Sequence, residues 1–532
     1  MRKVFEDLKR TSHIEHEKDW VKVSIDFYGW SWNVEKWVTL TGSSTILTIH
    51  LNWKKIVGLI DFGMFQWWKK DQDYNEKLPF DLSKIDFVIA THTHLDHIWK
   101  MLFLSKDEFH WKIWTTNVSK EIMFLMLKDI IKNQHKNSIS KKEKLANKIN
   151  NLKLAGSDVP GLEWLHKQIF KDYINELEEE YKNMDEENIK KEYFDKDDFL
   201  NLVLKVNSVD YYEKLEVAND IQLSFINAWH LPGSAQAILK IKTWRWKYLN
   251  IWFSWDIGSF KKEILWWKPD ISKEKLDLFV IESTYAWRYH VDKIKEQEKF
   301  IESINETIKN KWKIIIPSFV QWRAQEVIKY LYDLMEDWKI KKMLVFFDSL
   351  NMKKINDKYS VIYKDTLWNV LSKAFLNSVT SWRKRSKSNR FLKQKWSCIL
   401  IASWWMMDVW TINKYIHLIQ NPKNLFISVW YQAPWTRGNN IFEKHVKQIE
   451  VPWVWKLNVN AKLLNIRSFS WHWDQEDIIK LFKKMKFSKD WKIIINHWEE
   501  SVDQYLFWLT IKSFILRICE VLLTEFDEKI YK

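Results

Sequence analysis

Three histidines and an aspartate fall within six consecutive positions of the stretch FVIATHTHLDHIWKM: His92, His94, Asp96 and His97. Neutral imidazole and carboxylate oxygen are favourable ligands for zinc and similar divalent ions. Spacing matters as much as residue type. The group follows the apolar run FVIA, and on an extended chain His92 and His94 project to the same side, because side chains repeat every two residues. The turn after them can carry Asp96 and His97 toward a second position. Four ligands this close can serve two ions about 3.5–4 Å apart. A lone histidine at a strand end is more often an ordinary core or surface residue, but four such groups at this spacing point to a metal.

Further ligands occur in matching settings. His230 follows LSFINAW, Asp256 follows YLNIWFSW and His497 follows KIIIN, each closing an apolar run and facing a loop. None would be singled out alone. Together with His92, His94, Asp96 and His97 they complete a two-metal site. Its expected arrangement puts one ion on His92, His94 and His230, a second on Asp96, His97 and His497, and Asp256 between them. Two zinc ions are expected, with manganese as an alternative. Asp96 is also a candidate to orient an attacking water or accept its proton.

These side chains need a frame. Between about 37 and 97, WVTLTGSSTILTIHL, KKIVGLIDFG and FVIATHTH read as short strands ending in turn or polar residues. Residues 119 to 205 are charged and helical in period, as in a helical insertion or lid. Strands return at IQLSFINAWH, YLNIWFSWDIG and LFVIESTY. From about 285 to 440, KIIIPSFV, MLVFFDSL, CILIASWW and LFISVWYQA are apolar strands, with helical stretches between several of them, which is the pattern of a largely parallel, buried sheet. Binding residues gather at the carboxyl ends of such strands, here Ser318, Asp348, Ser403 and Gln432. The expected class is α/β, with a first domain over 1–284, an inserted domain over 285–440 and a return to the first domain over 441–532.

Composition narrows the class further. A hydrophobic share of 46% with 29% charged residues describes a soluble globular chain, and two cysteines leave no room for a disulfide framework. No run of 18 apolar residues suggests a membrane span, and the charged amino terminus is unlike a signal peptide, so a cytoplasmic location is the default. The net charge of +15 fits a lysine-rich solvated surface as well as a field that attracts polyanions, and does not choose between them.

The ordered ligand motifs resemble those of the metallo-β-lactamase fold, and the chain is most similar to its β-CASP branch of nucleic-acid-processing nucleases. That branch is marked by an acidic residue in ESTY, here Glu282, by a histidine in SFSWHWDQ, here His472, and by a late histidine in NHWEE, here His497. PSFVQWRAQEV, ASWWMMDVW and VWYQAPWTRG also resemble the branch's sequence blocks. The resemblance covers roughly residues 28 to 500 and implies an αββα sandwich carrying an inserted parallel-sheet domain. Histidine at 497 implies RNA rather than DNA as the substrate, and the compact bacterial and archaeal relatives of the messenger-RNA cleavage and polyadenylation nuclease are the nearer likeness. It further implies that His472 protonates the leaving oxygen, with Glu282 held against it to keep the imidazole charged. Arg288, Ser318, Arg323, Ser403 and Arg437 become candidate phosphate or base contacts. RNA is the expected partner, no membrane is expected, and a homodimer is allowed for. A DNA nuclease is the alternative within the branch. Thioester or lactone hydrolases of the same fold generally lack the inserted domain with its ESTY and SFSWH blocks.

One composition figure is abnormal: 37 tryptophans against 9 glycines. Together they make up a share close to that of glycine in ordinary proteins, about 7%, with a few tryptophans added. In the family pattern glycine stands where this chain has Trp99, Trp229, Trp255, Trp287, Trp322, Trp405, Trp410, Trp430, Trp471 and Trp498. The expectation is that many UGA codons read as glycine in the source cell are written here as tryptophan. Taken literally, the indoles would instead stack on bases, and a catalytically dead RNA-binding scaffold becomes the competing reading.

Overall fold

The computed structural model describes residues 10–11, 13–28, 31–33, 38–40, 42–65, 75, 78, 80–106, 109–134, 171–179, 194–259, 271, 273–284, 293–362, 391–392, 394–403, 406–407, 410–430, 432, 436–451, 454–467, 472–496 and 520–524. Apolar alternation builds its first layers. In the strand Lys54–Phe62, Ile56 and Ile60 enter one core while Val57 and Leu59 enter another, so both faces of the strand are covered.

That strand is the centre of a seven-stranded sheet, in the order Val206–Val209, Ile113–Thr116, Phe87–Ile89, Lys54–Phe62, Ser44–Leu51, Val21–Phe27 and His13–Lys18. A second sheet of eight strands runs Arg10–Thr11, Glu520–Thr524, Lys486–Asn496, Lys275–Glu282, Tyr248–Phe253, Ala235–Lys242, Ile221–Asn227 and Lys214–Ala218. Val23, Leu47 and Ile60 of the first sheet share one core with Leu223, Leu239, Leu278 and Ile494 of the second, which makes the pair a sandwich. The outer face of the first sheet is covered by helices: Phe124 and Leu127 from Asn117–Gln134, and Phe199 and Leu202 from Lys196–Lys205, pack with Val57, Leu59 and Val88. On the other side Phe482, from the helix Gln475–Lys484, meets Phe279 of the second sheet. This is the αββα sandwich expected from the motifs. The described helices of the 119–205 segment form its outer layer. One of them, Asn117–Gln134, also reaches the helix Leu350–Ile362, where Lys358 pairs with Glu121 at 3.0 Å.

The inserted part is a five-stranded sheet in the order Leu344–Asp348, Cys398–Ser403, Lys313–Ser318, Leu425–Ser428 and Lys462–Asn465, every pairing parallel. Ile314, Ile316, Ile399 and Ile401 face one core; Ile315, Cys398 and Leu400 face the other. Both sides are dry, which explains the continuous apolar runs. Its last strand, Lys462–Asn465, lies past the expected boundary at 440. This edge strand is only four residues long, with lysine and asparagine at its ends, too short for its alternation to be read.

Candidate metal centre

The strand Phe87–Ile89 delivers Thr91, His92 and Thr93 as extended chain, and His94 caps the short helix Leu95–Ile98 that holds Asp96 and His97. Gly63 makes this turn possible, since a Cβ there would lie 1.5 Å from the Asp96 carbonyl oxygen. Ser43 N–H donates to that oxygen at 2.7 Å and Met64 N–H to Leu95 O at 3.2 Å, pinning the turn to the neighbouring strand ends. His230 and Asp256 come from loops after two strands of the second sheet. Gly258 lets those loops close on each other: a Cβ there would lie 2.0 Å from Trp229 O. Its N–H bonds Ala228 O at 2.8 Å.

The loops converge. One ligand atom from each of His92, His94, His230 and Asp256 lies within 4.8 Å of all the others. His92 Nε2 is 3.1 Å from His94 Nδ1, and His230 Nε2 is 3.3 Å from it. Asp256 spans the group: Oδ2 is 3.5 Å from His92 Nε2 and 3.3 Å from His230 Nε2, while Oδ1 is 3.7 Å from His97 Nε2. Asp96 Oδ2 lies 3.9 Å from His97 Nε2. Imidazole nitrogens and carboxylate oxygens in such a cluster fit a divalent ion of the zinc or manganese kind.

The electrostatics favour the same occupant. Burial pushes the Asp256 carboxyl up to about 7, with Glu282 and Asp96 adding to the shift and the charges of His97 and His472 opposing it. Burial alone would lower His97, but Asp256, Asp61 and Asp96 outweigh it and raise it to about 9. His94 is held well below its usual range by burial and by the charges of His97, His472 and Arg323. A cation held there would compete with the protons that these shifts favour on His97 and Asp256.

Asp61 is a site residue that the sequence reading passed over. It is the penultimate residue of the strand Lys54–Phe62, at φ 55°, and accepts from Thr91 N–H at 2.8 Å and Thr91 Oγ1 at 2.7 Å. Its Oδ2 lies 2.7 Å from His97 Nδ1. Asp61, His92 and His97 can also be grouped as ligands. The contact through Nδ1 instead leaves His97 Nε2 toward Asp256, the position of a carboxylate that orients a ligand from behind. The one signal for it in the sequence was an aspartate closing the apolar run IVGLID.

Beside the cluster, His472 Nδ1 is 2.9 Å from both carboxylate oxygens of Glu282. Glu282 also accepts from Ile257 N–H at 2.9 Å, in the loop that carries Asp256. The ring centroids of His472 and His230 are 4.8 Å apart. His497 and Arg288 lie outside the described residues.

The inserted domain reaches the cluster through the loop after Lys313–Ser318. Phe319 packs edge-on against His94 with centroids 5.4 Å apart, and Gln321 Nε2 donates to Thr93 Oγ1. Arg323 is buried, pairs with Glu326 at 2.9 Å, and sits 4.3 Å from the ring centroid of Trp430. Arg437 donates to Met407 O and to Asn413 Oδ1. Ser318 and Ser403 end adjacent strands, Ser318 buried and Ser403 half-buried. The structure therefore brings Arg323 close enough for His94 to sense its charge, while Arg437 is held within its own domain.

Residues 324–441 match the Beta-Casp domain family. The chain is 24% identical over 445 residues to an RNase J-like protein of Methanocaldococcus jannaschii, covering 83% of this chain and 86% of that one. It is 23% identical over 461 residues to ribonuclease TTHA0252 of Thermus thermophilus, covering 83% and 88%. Transcription termination factor FttA of Thermococcus kodakarensis is 23% identical over 437 residues, covering 79% of this chain but 58% of the longer relative. Among the described residues no helix is long and apolar enough to cross a membrane.

Proposed function

We propose that this chain, a metallo-β-lactamase-fold protein of the β-CASP nuclease group, hydrolyses phosphodiester bonds in RNA. The observation that carries the reading is the convergence of His92, His94, His97, His230 and Asp256 beside the Glu282–His472 pair. Relatives named as an RNase J-like protein and as a ribonuclease support the substrate class. His92, His94 and His230 would hold one ion and His97, Asp96 and His497 a second, with Asp256 between them. Such ions, when bound, acidify water and neutralise phosphate charge.

The chain's own residues do the rest. Asp61 fixes the ring and tautomer of His97. Glu282 takes the hydrogen bond from His472 Nδ1, which orients the ring and favours its charged form, and so leaves Nε2 as the proton donor for the leaving oxygen. Asp96 would accept the proton of the attacking water. The loop of Phe319 and Gln321 closes one side against His94 and Thr93 and limits solvent there. Arg323, buried against Glu326 and Trp430, acts on the cluster through its charge at His94.

The test is cleavage of labelled single-stranded RNA and DNA of one sequence by protein purified from its own cells, before and after chelation. RNA cut, DNA spared and activity lost on chelation are expected. DNA cut at the same rate would move the reading to the DNA-cleaving alternative, and RNA bound but never cut would leave the scaffold.

A further inference from the structure

Seven tryptophans hold backbone conformations that favour glycine: Trp20 (φ 70°), Trp53 (63°), Trp229 (52°), Trp246 (66°), Trp255 (40°), Trp322 (68°) and Trp338 (59°). Left-handed backbone brings Cβ against the carbonyl oxygen, and a bulky residue there is a true outlier. Asparagine and aspartate, which tolerate it best, supply four other described positions, Asp19, Asn52, Asp61 and Asp220. Tryptophan outnumbers them, which is the reverse of the physical order.

The turns are specific. Lys18 pairs with Val21 and Leu51 with Lys54, so Asp19-Trp20 and Asn52-Trp53 are two-residue hairpin loops with both members at positive φ. Arg245-Trp246, both at positive φ, are the centre of a third tight turn, closed by Lys247 N–H donating to Trp244 O at 3.2 Å inside the connection that follows the Lys242–Tyr248 pair. Such type I′ turns favour Asp-Gly and Asn-Gly. The helix Arg323–Glu336 closes with Trp338 N–H on Met335 O at 3.4 Å and Lys339 N–H on Leu334 O at 2.9 Å. That paired closure puts glycine in the left-handed place that Trp338 occupies. Packing does not offset the strain, since these four side chains are 87%, 107%, 81% and 85% exposed in chain order.

The other three frame the metal centre. Trp229 precedes His230, Trp255 precedes Asp256, and Trp322 precedes Arg323, whose charge reaches His94. Trp255 is buried with its indole nitrogen making no hydrogen bond. By contrast Trp99 sits at φ −60°, ψ −43° and packs on Phe103 and Phe194, so its backbone accepts any residue. Family pattern alone would have included it.

We infer that the functional molecule carries glycine at 20, 53, 229, 246, 255, 322 and 338, from a codon that its own cell reads as glycine. Glycine at 229, 255 and 322 acts as a set of positioning residues that let the backbone aim His230, Asp256 and Arg323 without an indole in the way. The inference rests on backbone geometry and turn chemistry and stands apart from the nuclease reading.

Tandem mass spectrometry of peptides from protein made in its own cells tests it without an activity assay. Glycine at all seven positions is the expected result, and tryptophan at any of them overturns the assignment. A recombinant pair tests the physics separately. Replacing Trp20, Trp53, Trp246 and Trp338 with glycine, all at turns remote from the ligands, should raise the melting temperature by more than about 5 °C. An unchanged or lower value contradicts the strain argument.

Discussion

At the strand ends of the sandwich His92, His97 and His230 each lie less than 4 Å from Asp256, and in the inserted domain Asp348 lies as close to Tyr415 and Lys414, and Arg437 to Asn413. The second group supplies its own partners. Burial raises the Asp348 carboxyl, but the Tyr415 hydroxyl donates to it at 2.6 Å and Lys414 stands 3.5 Å away. Arg437 Nη1 donates to the Met407 carbonyl and to the Asn413 amide oxygen. In the first group the same kind of crowding pushes Asp256 and His97 far from their ordinary ranges. A self-satisfied polar cluster holds a domain together, whereas buried imidazoles and a carboxylate pushed from their ordinary ranges are the arrangement expected of a metal centre.

That contrast can be broken most severely at its centre. Asp256→Ala removes the carboxylate that spans the ligands, and should lower RNA cleavage by at least about 10³-fold and reduce bound metal, checked by single-turnover kinetics and elemental analysis. His472→Ala should cost about 10²–10⁴-fold in cleavage with metal content unchanged, a split that separates proton transfer from metal holding. Asp61→Asn keeps the shape behind His97 but weakens its orientation, for a loss of about 10–100-fold in metal affinity or rate. In the inserted sheet the same kind of change should be quiet in catalysis. Tyr415→Phe leaves Asp348 buried with one donor fewer, costing about 1–3 kcal/mol in denaturant unfolding and leaving the cleavage rate within about twofold.

The smallest effect sharpens the contrast by pH. Lys100 is buried between Phe62 and Phe65, and burial lowers it to about 7. An unfolded lysine titrates near 10.4, so folded Lys100 binds fewer protons between those values and its own contribution to stability rises with pH across that window, against the opposite contribution of the raised His97. Lys100→Met should add ~1–3 kcal/mol at pH 7 and less at pH 9, read as the difference between variant and wild-type melting curves at the two pH values.

What was legible in the sequence follows from how local each signal is. His92, His94, Asp96 and His97 share one strand end and one turn, so spacing alone revealed them. Glu282 and His472 stand 190 positions apart, and only a family pattern could join them before the structure set them at 2.9 Å. Asp61 was passed over because its partner, His97, lies 36 positions on and an aspartate at a strand end looks like any turn residue. The parallel inserted sheet was visible in its apolar runs, except for Lys462–Asn465, too short to show a period. The hairpins at 19–20 and 52–53 were hidden for a chemical reason: tryptophan stands where the Asp-Gly and Asn-Gly signals belong.

The most direct measurement is the metal content of the protein from its own cells, by elemental analysis of the purified wild type beside His92→Ala. About two divalent ions per chain, reduced in the variant, are predicted. A wild type without bound metal, or a metal count that His92→Ala leaves unchanged, would contradict the account.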